Sequence, residues 1–289
     1  MTNILITGSD GQVGSELKVL EPDFKKYNFF FTDLKELDIT EHKLVEKYIL
    51  KNRINVIINC AAFTAVDLAE TKSKKANEIN NRAVRNIANL AKDHKIKLIH
   101  ISTDYVFDGK SSKPYVETDT PSPESVYGKT KLDGELAMQQ INPLNSIIIR
   151  TSWLYSKFGN NFVKTMLHLA ETKDKISLVA DQIGSPTYAA DLAKAILNIL
   201  PQINNETVEL FHYSNHGVCS WYDFGKAIFD LKEISIIVNP IESAMYPTPA
   251  QRPFYSVLDK SRIKDAFQLE VPLWKDSLIS CLKTLKNEI

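Results

Sequence analysis

The chain has 289 residues, 44% of them hydrophobic and 24% charged, and its 35 Lys plus Arg balance 35 Asp plus Glu. That length buries a sizeable core as one large α/β unit or two unequal lobes, the composition excludes disorder and fibrous repeats, and the zero net charge leaves no field to hold nucleic acid or an anionic membrane. Three scattered cysteines, Cys60, Cys219 and Cys281, fit neither a zinc site nor a disulfide framework, and with no basic leader or long apolar run the expectation is a cytoplasmic protein of small-molecule chemistry.

In chain order, the apolar run at residues 3–7 predicts a first strand, followed directly by Gly8-Ser9-Asp10-Gly11-Gln12-Val13-Gly14 opening a helix. Further short apolar runs at residues 27–31, 55–59, 97–102 and 146–150 alternate with segments of helical period. Ala76, Ile79, Ala83, Ile87 and Leu90, for example, put one apolar face on a helix. Strands alternating with helices read as β-α-β units, and right-handed crossovers then make a Rossmann-type doubly wound parallel sheet over residues 1–150. Beyond it a helix near residues 161–171, a strand near 176–179, a helix near 190–200 and a Pro-punctuated stretch at 240–253 predict a smaller α/β lobe. Residues 151–289 are thus expected to be mainly substrate-binding, with segments free to return to the Rossmann domain.

The glycines have the spacing of a dinucleotide-binding turn: Gly8 for the tight turn, Gly11 for backbone approach to pyrophosphate, Gly14 for close helix-to-strand packing. Asp33, ending the second apolar run, is placed to accept hydrogen bonds from a ribose and favours NADH over NADPH, a preference that Lys35 softens. Asp38-Ile39 precedes a helix expected to start near Thr40, and the aspartate reads either as a cap or as an adenine contact.

Tyr127 and Lys131 stand four apart, hence on one helix face. Upstream, the fourth strand runs into Ser102-Thr103-Asp104-Tyr105-Val106-Phe107, which brings a hydroxyl to the same sheet edge. An ammonium at Lys131 is expected to lower the Tyr127 phenol, and Thr103 to orient a substrate oxygen. Tyr222 and Lys226 repeat the spacing without a strand to serve them and read as a packed amphipathic helix.

These motifs, together with Ala61-Ala62-Phe63-Thr64-Ala65-Val66-Asp67, Arg150-Thr151-Ser152-Trp153, Asp181-Gln182-Ile183-Gly184-Ser185-Pro186-Thr187 and Pro249-Ala250-Gln251-Arg252-Pro253, resemble the dTDP-4-dehydrorhamnose reductase family of the extended short-chain dehydrogenases. The resemblance implies reduction of the C4 ketone of dTDP-4-dehydro-L-rhamnose to dTDP-L-rhamnose with NADH or NADPH. It also implies that Gln12, Val13, Ala62, Phe63 and Thr64 line the cofactor and that Thr103, Asp104, Tyr127 and Trp153 contact the sugar nucleotide. Arg252 is the candidate for pairing with its diphosphate. Some members bridge a dimer through a metal held by acids; Glu16 fits one such acid, but Ala190 stands where a second is expected, so no metal is expected and monomer or homodimer both stand. Two alternatives are an epimerase or 4,6-dehydratase of the same superfamily and a non-catalytic regulatory binding subunit. Against the dehydratase, Tyr105 follows Thr103-Asp104 where elimination chemistry calls for Glu.

Overall fold

Alternate residues of each central strand feed two different cores. In the computed structural model, which describes residues 1–285, strands β1 (Thr2–Thr7), β2 (Tyr27–Thr32), β3 (Val56–Asn59), β4 (Lys97–Thr103) and β5 (Ile147–Thr151) share a six-stranded sheet with the strand Glu209–His212. Across the sheet the order is Glu209–His212, β5, β4, β3, β1, β2, and every neighbouring pair is parallel. Ile4, Ile6, Ile58 and Ile149 face the helices α1 (Gln12–Leu20) and Ala189–Ile199. Leu5, Ile57, Leu98 and Ile148 face α2 (His42–Asn52) and the helix Val84–Asp93. Side chains alternate across a strand, so a strand covered on both faces must be apolar at nearly every position. That is why these runs were continuous rather than alternating.

From β1 the chain crosses to β2 on one side and later returns to β3 on the other. The loops leaving β1 and β3 therefore diverge, and a crevice opens at their carboxyl ends.

Two features depart from the expected pattern. The sixth strand comes from beyond residue 150, and the helix Ala189–Ile199 packs against α1, so the far half of the chain completes the sheet and one of its covers. The helix expected through Ala76 and Leu90 is divided into Ser73–Asn77, a π-helical turn Glu78–Ala83 and Val84–Asp93. The wide turn brings Asn80 across to the loop after β3, where its amide accepts from Phe63 N at 2.8 Å and donates to Phe63 O at 3.2 Å. α2 begins at His42 rather than Thr40. A separate core around Tyr155, Val163, Phe224, Trp274, Leu278 and Cys281 underlies the remaining C-terminal elements, beside the parallel pair Lys175–Val179 and Ile237–Ile241. No helix among the described residues is long and apolar enough to cross a membrane.

Candidate active site

The turn after β1 is built around two glycines that no other residue can replace without moving backbone. Gly8 has φ +64°, and a Cβ there would lie 2.6 Å from the Ala61 backbone, so the loops after β1 and β3 touch at this point. At Gly14 a Cβ would lie 2.5 Å from Ser9 Cα. A Cβ at Gly11, by contrast, would meet only Gly8 O, at 3.2 Å. No side chain caps α1 at Gly11, so the first N–H groups of the helix face the crevice, as an anion site requires. These residues fit a dinucleotide diphosphate.

A cavity of about 730 Å³ opens from this turn across the ends of β3, β4 and β5. Gly8, Gly11, Gln12 and Val13 line it at one end, with Asp33, Asp38 and Ile39 beside them, then Ala62 and Thr64, and Thr103, Asp104, Tyr127, Lys131 and Trp153 at the other end. Three expected residues lie elsewhere. Gly14 acts behind the turn through helix packing, and Phe63 turns away to pack near Tyr127 and Ala69 while Asn80 holds its backbone. Arg252 is the third: its Nη2 is 2.6 Å from Asp67 Oδ2, and it lines a separate small cleft on the other side of Tyr105. Asp67 also accepts from Ala250 N at 3.1 Å, so it clamps the proline-rich stretch while pairing Nη2 of Arg252.

Asp33 Oδ2 accepts from Asp10 N at 2.9 Å and Oδ1 from Leu34 N at 2.7 Å, so its carboxylate ties the turn together as well as facing the cavity. Asp38 accepts from Thr40 N and Thr40 Oγ1, at 2.9 and 2.7 Å, so it braces the turn ahead of α2, whose cap position is Glu41, and it also lines the cavity.

The helix Val126–Ile141 starts at Ser125, whose hydroxyl accepts from Gly128 N at 3.1 Å, and this cap sets Tyr127 in the first turn with Lys131 one turn on. Burial pushes the Tyr127 phenol up to about 12, the neighbouring Thr103 side chain pulls it back, and the Asp104 charge pushes it further. Lys131 lines the same cavity as Tyr127, and its Nζ donates to Ile101 O at 2.6 Å and lies 3.3 Å from His100 Nε2, both in the sheet. Burial brings Lys131 down to about 8, against the opposing charge of Glu135. Glu135 itself is held by Arg150, with Nη2 to Oε2 at 2.6 Å and Nε to Oε1 at 3.0 Å, and by the Ser102 hydroxyl. Arg150 thus joins β5 to the tyrosine helix from beneath.

Trp153 has φ +47° and its indole stacks on Trp221, centroids 3.6 Å apart and planes within 9°. Gly184 makes room, since a Cβ there would lie 2.5 Å from that indole. The helix Trp221–Leu231 carries Tyr222 and Lys226 away from the cavity and buries Phe224, Ile228 and Phe229, as its spacing predicted.

Glu16 is buried and accepts from Ser156 Oγ at 2.6 Å, and burial holds its carboxyl above the usual range, with Asp191 adding to it. Among the described residues no group of three or more His, Cys, Asp or Glu gathers as a metal site.

Sequence reading missed Asn59, His100, Glu135 and Asn80, the buried polar residues under the site. A signal was present, because a His or Asn inside a wholly apolar strand is costly unless it is partnered.

A family model described as RmlD substrate binding domain matches residues 1–287. The dTDP-4-dehydrorhamnose reductase of Aggregatibacter actinomycetemcomitans is 44% identical over 287 residues, 96% of this chain and 97% of that protein. The solved structure of a dTDP-4-dehydrorhamnose reductase from Clostridium acetobutylicum superposes with a TM-score of 0.93 at 41% identity, covering 99% of this chain and 100% of that one. Another from Bacillus anthracis, in complex with NADP, gives 0.93 at 38% identity over 98% and 100% of the two chains. By similarity extending over nearly all its length, the chain belongs to the dTDP-4-dehydrorhamnose reductase family.

Proposed function

We propose that this protein reduces the C4 ketone of dTDP-4-dehydro-L-rhamnose to dTDP-L-rhamnose, with Tyr127 as proton donor, in the cytoplasm. The observation that carries the reading is one continuous cavity lined at one end by Gly8, Gly11 and the open N-terminus of α1, and at the other by Thr103, Tyr127 and Lys131. Bound NADH or NADPH would supply the hydride to the carbonyl carbon. The diphosphate would sit on the α1 N-terminus, and Asp33 and Asp38 lie where the adenosine end would reach.

At the other end, the Thr103 hydroxyl and the Tyr127 phenol converge on the substrate oxygen. The phenol gives its proton to that oxygen, and the Lys131 ammonium stabilises the phenolate left behind. Trp153, held flat by Trp221, forms a wall for the sugar nucleotide, and residues 151–289 serve mainly as its binding lobe. Against a dehydratase stands Tyr105, whose ring packs edge-on against Tyr127 at 5.5 Å, so no carboxylate occupies that position.

The test is oxidation of NADH and NADPH with dTDP-4-dehydro-L-rhamnose generated in place. Wild type should consume either cofactor only when substrate is present, and Tyr127→Phe should lose turnover by about a hundredfold or more while still binding cofactor. A wild type that binds cofactor and oxidises none refutes the reductase reading and favours a binding subunit.

A further inference from the structure

His100 is a fully buried titratable group with no part in the reduction as described. It lies mid-strand in β4, in a line of buried polar side chains running through β1, β3 and β4 to the tyrosine helix. Thr7 Oγ1 donates to Asn59 Oδ1 at 2.6 Å, Asn59 Nδ2 lies 3.0 Å from His100 Nδ1, and His100 Nε2 lies 3.3 Å from Lys131 Nζ. With Ile101 O at 2.6 Å as a second partner, Lys131 has two of its three ammonium hydrogens directed into the sheet and one left for the cavity.

A neutral imidazole has one donor and one acceptor nitrogen. An ammonium at Lys131 needs the lone pair on Nε2, which puts the ring proton on Nδ1 and calls for the Asn59 amide to turn its oxygen toward the ring. With Asn59 Nδ2 facing Nδ1, the proton sits on Nε2 and the order matches an uncharged Lys131. Each charge state of the lysine thus has its own self-consistent arrangement of hydrogens.

We propose that His100 is a positioning residue for Lys131, its neutral ring, keyed by Asn59, holding the ammonium in place and coupling the lysine's charge to the ring's tautomer. Burial, and then the charge of Lys131, keep the ring from protonating. The other titratable groups against Lys131 are Glu135, on its own helix, and the Cys60 thiol at the end of β3, which burial pushes up to about 12. The kinetic half of this inference rests on the reductase reading, whereas the tautomer half does not.

The experiment pairs nitrogen NMR of the His100 ring in the full chain, from about pH 6 to about pH 9, with pH profiles of kcat for wild type, His100→Leu and His100→Gln. The His100→Leu spectrum assigns the signal. The wild-type ring should stay neutral and change tautomer, with a midpoint matching the alkaline limb of kcat. His100→Leu should lose about tenfold in kcat with its alkaline limb moved down by about one pH unit, because the ammonium loses an acceptor. His100→Gln, whose amide oxygen can accept from Lys131, should recover most of both, and KM for the sugar nucleotide should stay within about twofold in each variant. One tautomer over the whole range, or equal losses in both variants with an unmoved limb, overturns the proposal and leaves His100 a packing residue. If the tautomer changes but wild type reduces no sugar nucleotide, the reductase reading fails and the coupling stands.

Discussion

The Asp104 carboxyl is buried beside Tyr127, its Oδ1 accepting from Thr103 Oγ1 at 3.0 Å, while Oδ2 has no partner in good geometry although the Ser256 hydroxyl is close by. Desolvation pushes its pKa up to about 6. The folded state therefore binds more protons than the unfolded chain between about pH 4 and pH 6, and stability present below that window is lost as pH rises through it. The shift corresponds to on the order of 3 kcal/mol. Asp104→Asn removes the penalty, so the variant should be more stable than wild type by roughly that amount above about pH 7 and equal to it below about pH 4. Denaturant unfolding at the two pH values checks this; a gap that does not change with pH would mean Asp104 is not the ionising group. The same variant should bind the sugar nucleotide more weakly, stability having been given up for a polar contact in the cavity. At this scale the convergence of Gly8, Thr103, Tyr127 and Lys131 on one cavity was legible, because a turn that demands positive φ and a helical spacing are written in neighbouring residues. The pairing of Arg252 was not, because its partner, Asp67, is 185 residues away in the chain.

Among the elements, the helix Val126–Ile141 is held close in its first turn and at its middle. A Cβ at Gly128 would lie 2.1 Å from Tyr105 O, and a Cβ at Gly134 would lie 2.1 Å from Asn80 O on the π-helical turn. Helix propensity alone makes Gly134→Ala stabilising by about 1 kcal/mol. A contact that short against backbone cannot be relieved by a rotamer change, and overpacking of this kind costs about 1–3 kcal/mol, so the sign should reverse. Gly134→Ala is expected to melt at a lower temperature and to turn over more slowly, since the shift displaces Lys131 one turn earlier. An unchanged or higher melting temperature would show that the helix has room. The apolar period placed a helix through Ala76 and Leu90 correctly, but the π-helical turn within it was not readable. The turn packs against the helix Val126–Ile141, a contact that no residue pattern inside the segment encodes.

For the whole molecule, residues beyond 150 finish the sheet that the first half begins. Leu192, Ile196, Leu197, Ile199 and Phe211 are buried against it. At about 1.5–3 kcal/mol each, these side chains together match the entire net stability of a typical domain, about 5–15 kcal/mol. A fragment ending at residue 150 should therefore fail to fold cooperatively, as far-ultraviolet dichroism and hydrogen exchange would register. The Arg150 and Glu135 pair ties β5 to the tyrosine helix in the interior, and Glu135→Gln leaves a buried guanidinium without its counter-charge. That variant should lose about 3–5 kcal/mol in denaturant unfolding. A loss well under 1 kcal/mol would mean water reaches the pair.

The central strands, the glycine turn and the Tyr127 and Lys131 spacing could be read in one dimension, because a strand buried on both faces, a positive φ and a helical turn impose their demands on neighbouring residues. The edge strand Glu209–His212, the π-helical turn at Asn80, the pairing of Arg252 with Asp67, and the line from Thr7 through Asn59 and His100 to Lys131 could not. Each depends on which element lies beside which. That choice is made by packing the whole sheet between its two helix layers, where buried polar groups take whatever partners the topology puts within reach.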